Sequence, residues 1–365
     1  MYSLTPGYRV PAIQRGLSPA EVVLTKTNAG AGAAILASAM LQTPPIWAFG
    51  AVAGIAGLIN IAPGPRSIAR WAAVGVRHWR ERRTTSGPAT SAGTTRTWTL
   101  YPHHGTMQDP YLRESFHAAF ARALTFAAGQ ARTAGIQVHV AHFAEVGDFT
   151  DHAQTISVHI PNGLLGQPER VLNTIEGEFA ALGVLAPVTP GPVPVVTDRS
   201  ATWAELEDGR YAATARITGW PAEAEGDLMP KLLLGQDTGR AGERAADRSL
   251  AVLYRPLPAA QSRRSAKWSD AAGAAFTTDK IKQDTNAVSS DTTRDALVQG
   301  ASLVDVDAYL TVWGDSPEEV TDARWDASLT ADRHRISLDW LIGQQQRAHV
   351  MTTPHGAPTR KGAIL

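Results

Sequence analysis

Two uncharged stretches broken by a double proline constrain this chain more than any other feature. Thr27–Leu41 is fifteen residues without a charge, and Ile46–Ala62 is seventeen more. Between them stand Pro44 and Pro45, which lack an amide hydrogen and restrict the residue before them, so one helix cannot run through. Pro63-Gly64-Pro65 ends the second run. A bilayer core about 30 Å thick needs about 20 apolar residues. Extending the first run back to Val22 reaches twenty, with Lys26 able to snorkel to the interface. The pattern predicts helices over about 22–41 and 46–62, a transmembrane hairpin within residues 1–65. The competing reading is a pair of helices buried in a soluble domain.

Charge favours the hairpin. The chain holds 34 basic and 34 acidic residues, but residues 1–83 carry nine basic against two acidic, so they are +7 and the remainder is −7. Basic residues flank the outer ends of the hairpin and the Pro44-Pro45 turn has none. By the positive-inside rule the segment spans the inner membrane twice with both termini in the cytoplasm. Gly50, Gly54 and Gly57 form a small-residue stripe that would let this helix pack on its hairpin mate or on a partner's helix.

Residues 66–83 read as a basic amphipathic helix. Ile68, Trp71, Ala72, Val76 and Trp79 share a face, with Arg66, Arg70, Arg77, Arg80, Arg82 and Arg83 elsewhere. Two tryptophans opposed to arginines suit a helix lying in the membrane interface, so the lipid bilayer is an expected partner. The Ser/Thr/Gly-rich stretch 84–97 reads as a linker.

From Trp98 onward strand-like and helix-like segments alternate. A helix is expected from Asp109, strands over Ile136–Phe143 and Thr155–Ile160, and a helix over Gln167–Leu182. A proline-rich stretch, Pro187–Pro194, separates this first α/β unit (98–190) from a second (191–350). There the expected elements are strands over Arg210–Trp220, Ser249–Pro256 and Leu303–Trp313, a short helix over Asp227–Leu234, and a helix over Ser316–Arg333. A last strand is expected over Arg335–Leu338. Ser316-Pro317-Glu318-Glu319 is an N-cap, a proline at N1 and a capping-box acid. The class is α+β: the hairpin followed by a cytoplasmic body of two split β-α-β (ferredoxin-like) units, with no clear repeat in sequence. Residues 351–365 read as a flexible tail.

Motifs for chemistry are scarce. There is no cysteine, which excludes disulfides, thiolate metal sites and cysteine nucleophiles. Gly235–Gly242 is glycine-rich but lacks the lysine of a phosphate loop. No Gly-x-Ser-x-Gly elbow and no HExxH occurs. His103, His104, His139, His142, His152 and His159 invite a metal reading, yet His139 and His142 fall on opposite faces of a strand. Asp305 and Asp307 share a strand face and could form a carboxylate pair, although solvated strand-face acids are commoner. No catalytic, cofactor or metal residue is predicted. An acidic body gives no expectation of direct nucleic-acid binding.

Tyr8-Arg9-Val10, Arg15-Gly16-Leu17-Ser18-Pro19, the hairpin and the Trp/Arg helix resemble a family of actinobacterial membrane proteins encoded with conjugation or type IV-like secretion genes. Gly219-Trp220-Pro221, Ala301–Gly314, Ser316–Val320 and Arg335–Trp340 with Gly343-Gln344-Gln345 extend the likeness. They are similar to the N-terminal, non-ATPase part of the conjugative secretion ATPase. The resemblance implies a non-catalytic structural or adaptor subunit, with homo-oligomeric assembly left open, that docks a secretion or conjugation ATPase and other membrane subunits. The sequence departs from the family where an ATPase would begin, soon after Gly343-Gln344-Gln345, and in Thr353-Pro354-His355-Gly356. More distantly the layout resembles the two-helix membrane subunit of type VII secretion. A membrane-bound hydrolase or transferase using the acids near Asp305 or the histidines near His139 is the reading from another class.

Overall fold

The computed structural model describes residues 28, 30–32, 35, 46–60, 68–81, 92–106, 109–130, 135–146, 150–189, 193–221, 228–235, 246–263 and 302–353. They fall into a helical unit drawn from Arg9–Ser86 and an α+β body drawn from Gly87–Arg360.

The helical unit contains α1 (Ile46–Asn60) and α2 (Ile68–Glu81). Asn28, Gly30–Gly32 and Ile35 of the first uncharged run are also helical. They lie against α1: the Asn28 side-chain amide donates to the Val52 carbonyl at 3.2 Å, and a Cβ added to Gly32 would stand 3.7 Å from Val52 Cγ1. The rest of the expected hairpin, including its proline turn, lies outside the described residues. At 1.5 Å per residue the 15 residues of α1 reach about 22 Å. Among the described residues no helix is long and apolar enough to cross a membrane.

The body begins with β1 (Gly93–Pro102), α3 (Pro110–Gly129), β2 (Gln137–Val146), β3 (Thr150–Pro161), α4 (Pro168–Phe179) and β4 (Gly183–Val188). A hairpin follows, β5 (Val196–Arg199) and β6 (Ala204–Leu206). Then come β7 (Tyr211–Gly219), α5 (Leu228–Leu234), β8 (Arg248–Pro256), β9 (Val304–Gly314), α6 (Pro317–Arg333), β10 (Ser337–Trp340) and the short α7 (Gln345–Ala348). The linker expected over 84–97 is shorter than read, because Gly93–Thr97 already belong to β1. Its threonines look like linker composition but are β-branched residues that suit a strand. β4 falls partly in the stretch read as a proline-rich separator. Pro187 is tolerated there because β4 is an edge strand, and Gly183 is required because any side chain would strike the Tyr101 carbonyl.

Strand order shows the logic of the body. The first six elements give β4-β1-β3-β2, and β7-α5-β8-β9-α6-β10 gives β10-β7-β9-β8, each in antiparallel pairing. This is the split β-α-β arrangement made twice. The two sets are not separate sandwiches. β2 and β8, the second strand of each set, pair antiparallel from Val138↔Tyr254 to Ala144↔Arg248, joining everything into one ten-stranded sheet. An antiparallel seam between equivalent strands relates the halves by a local two-fold normal to the sheet, which places all four large helices on one face.

The register confirms that sidedness. Val138, Val140, Ile156, Val158 and Trp98 pack with α3 and α4 in one core. Leu250, Val252, Leu310 and Val312 pack with α5 and α6 in the other, and Tyr254 touches both. A faint repeat also emerges. Pro168-Glu169-Arg170-Val171 and Pro317-Glu318-Glu319-Val320 open the equivalent helices α4 and α6. Each puts proline at the start and glutamate against the helix dipole.

Trp98 is fully buried beneath this layer. Replacing it by alanine should cost about 3–5 kcal/mol, visible as a fall in the urea midpoint at unchanged slope.

Candidate functional site

The residues singled out from sequence fall on two surfaces, and the first is the helical unit. α1 is uncharged along its length, yet Trp47 is 75% exposed and Phe49 and Ile55 are each 43% exposed. A Cβ on Gly50 or Gly54 would meet nothing within 4 Å. The seam to the first run is made by Val52, about half a turn away, so Gly50 and Gly54 face outward from it. The Gly57 environment lies outside the described residues.

On α2 the apolar arc expected from sequence is divided. Val74 is buried, with Trp71 and His78 half-buried beside it, whereas Ala72, Val76 and Trp79 are exposed. Arg70, Arg77 and Arg80 occupy the remaining arc by helical position. Arg66, Arg82 and Arg83 lie outside the described residues.

The second surface is the face of the sheet turned away from the helices. It is polar, and most of it is buried: Thr97, Ser157, His139, His159, Thr214, Ser249 and Thr311 are each 3% exposed or less. Over the second half, the segment Gly343–Thr353 lies across it. Here the Gly343-Gln344-Gln345 motif finds its physical role. On its outer edge β7 pairs with β6 at Tyr211 and Ala212, and with β10 from Ala215 onward. Thr214 falls between these ladders. The Gln345 side chain accepts from Thr214 N at 2.7 Å and donates to Thr214 O at 3.1 Å, doing what a paired strand would do. Thr352 Oγ1 donates to Thr311 Oγ1 at 2.7 Å. His139 Nε2 meets the Met351 carbonyl at 2.8 Å, and His349 Nε2 meets the Pro194 carbonyl at 3.3 Å. The segment thus straps the first module, the chain leading into β5 and the second module together.

Charged groups on this face neutralise one another. Asp307 lies between Arg216 and Arg255, with Arg255 Nη1 at 2.5 Å, and Asp305 is 3.9 Å from Arg255. Burial alone would raise the Asp307 pKa, but the two guanidinium groups outweigh it and hold the carboxyl below its usual range. A carboxylate pinned in that state is a poor general acid, so Asp305 and Asp307 form a structural ion cluster. β8 separates them from His139. His139 and His142 do point to opposite faces, as alternation requires. His142 instead meets His152 across the hairpin, Nδ1 to Nε2 at 3.2 Å, and burial, reinforced by His152, pushes its pKa down to about 4. Nδ1 of His159 accepts from or donates to Thr95 Oγ1 at 2.8 Å. His103 and His104 are exposed in the β1–α3 connection. Among the described residues no group of three or more His, Asp or Glu side chains is placed to hold a metal ion.

Arg248 is a buried cation that sequence reading missed. Its Nη1 donates to the Leu232 carbonyl at 2.9 Å, capping the C-terminus of α5. Burial lowers its pKa to about 10. Only tertiary contact distinguishes it from a solvated arginine. Comparison with known proteins finds no matching family model and no matching curated protein.

Two predictions arise from the strap. Gln345→Ala leaves the Thr214 amide without its partner, while the Thr214 carbonyl keeps Leu341 N at 3.0 Å; this should cost about 1–3 kcal/mol and expose Gly343–Thr353 to limited proteolysis before the sheet unfolds. Acid should also loosen the body. Burial is the largest influence on His139 and His349, and both are lowered despite their carbonyl partners. The unfolded chain therefore takes up protons first, near the ordinary histidine pKa of about 6.5. Stability is fully present above that pH and falls below it, by up to about 1.4 kcal/mol per pH unit for each such group. Urea unfolding at pH 7.5, 6 and 5 should show the decline, and His349→Gln should flatten it.

Proposed function

We propose that this chain is a non-catalytic, membrane-anchored structural or adaptor subunit of a conjugative DNA-transfer or type IV-like secretion apparatus. The N-terminal hairpin holds it in the inner membrane with both termini in the cytoplasm, and the body presents itself to an ATPase and to other membrane subunits. The observation that carries this reading is the helical unit. An uncharged α1 with Trp47, Phe49 and Ile55 in the open is energetically unfavourable in water, at about 25 cal/mol per Å² of apolar surface. Lipid or an apolar partner helix removes that cost, and the outward Gly50 and Gly54 allow close approach by such a helix. On α2 the open Val76 and Trp79, with arginines on another arc, fit a helix lying at an anionic interface.

The body supports an adaptor over an enzyme for a chemical reason. His139 and His349 each engage a backbone carbonyl through one ring nitrogen, His142 and His152 engage each other, His159 engages Thr95, and the acid pair is held by arginines. The likeness of the Gly343-Gln344-Gln345 segment to the secretion family supports a secretion or conjugation machine as the setting for such an adaptor. A type VII secretion subunit of the same layout is distinguished by which ATPase co-purifies.

After gentle lysis the full chain should sediment with membranes and resist a carbonate wash, whereas a variant lacking residues 1–83 should remain in the supernatant. A full-length chain that stays in the supernatant sinks the membrane reading.

A further inference from the structure

We propose that the solvent side of α6 is a docking surface for a basic amphipathic helix of a partner protein. The inner side of α6 is already complete: Val320, Ala323, Ala327, Thr330 and Ala331 are buried against the sheet. On the other side Glu318, Asp322, Trp325, Leu329 and Asp332 follow at alternating spacings of four and three, one line along the helix. Trp325 sits at its centre, 61% exposed.

The duplicated architecture supplies an internal comparison. α4 holds the equivalent place in the first module, and matching Pro168 to Pro317 puts Glu176, paired with Arg96 at 2.8 Å, where α6 has Trp325. The same packing position is therefore satisfied without an aromatic residue, so the fold does not require Trp325. An indole ringed by polar groups is the composition of an interface hot spot.

Charge selects the occupant. Glu318, Asp322 and Asp332 are all exposed. The neighbouring cation Arg324 lies over the Trp340 ring, 4.9 Å from its centroid, and the exposed Arg333 and Arg335 place positive charge only at the C-terminal end of the helix. Glu319 is occupied at the N-terminal cap, accepting from Asp315 N at 2.8 Å. An acidic line around one indole favours a helix with lysine or arginine on its rim and an apolar centre. It repels anionic lipid, nucleic acid and acidic peptides alike.

The test titrates purified full-length chain against fluorescein-labelled Leu/Lys and Leu/Glu amphipathic helices of about 18 residues, five turns each, reading anisotropy. The Leu/Lys helix should bind and the Leu/Glu helix should not. Trp325→Ala and the double variant Asp322→Lys/Asp332→Lys should each weaken binding at least about tenfold, with unchanged circular dichroism and melting temperature. Equal binding by Trp325→Ala, or equal binding of the Leu/Glu helix, overturns the proposal. In cells a benzoylphenylalanine at position 325 should crosslink to a Lys/Arg-rich helical segment, and adding Asp322→Lys should remove that product. Crosslinking to lipid, or to a segment without basic residues, overturns it as well.

Discussion

The seam between β2 and β8 is the interaction on which the body depends. Each half on its own is a four-stranded split β-α-β layer whose second strand would offer an open edge. Such edges are templates for unwanted pairing. Joining the two edges satisfies both at once, from Val138↔Tyr254 to Ala144↔Arg248. The antiparallel sense has a second consequence, since it puts the four large helices on one face and frees the other for different use. Tyr254 reaches into both cores, so the two helical layers act as one packed body.

The freed face explains the position of the polar residues. Hydroxyl and imidazole groups cannot be buried without partners at reasonable cost. Over the second half the strap from Gly343 to Thr353 meets that demand, with Gln345 completing the β7 edge between β6 and β10. The arginines beside Asp307 do the same for a charge. His139, His349 and Asp307 each make contacts that hold the sheet or its strap together. The halves also differ on their outer surfaces, as between α4 and α6.

Much of the body was legible in the linear pattern. The capping box at Ser316–Glu319, the alternation in β2 and the helical patterns from Asp109 and over Gln167–Leu182 all translate into elements within a few residues of their expected ends. The strands rich in threonine or interrupted by proline were not legible, because β1 begins inside apparent linker and β4 contains Pro187. Edge position and β-branching override composition in both. The duplication was also hidden, since only the Pro-Glu-x-Val openings of α4 and α6 survive as a shared string.

By itself the sequence determined the charge division, the uncharged proline-split runs, the α+β order of elements and the absence of cysteine chemistry. These are properties of composition and period, which need no knowledge of distant neighbours. Only the tertiary structure decided that the two modules share one sheet, that Gln345 serves as a substitute strand, and that Asp307 is pinned between Arg216 and Arg255. It alone shows that Arg248 caps α5 from within the core. Those outcomes rest on contacts between residues from 16 to more than a hundred positions apart, and no local pattern encodes which of many polar groups will meet.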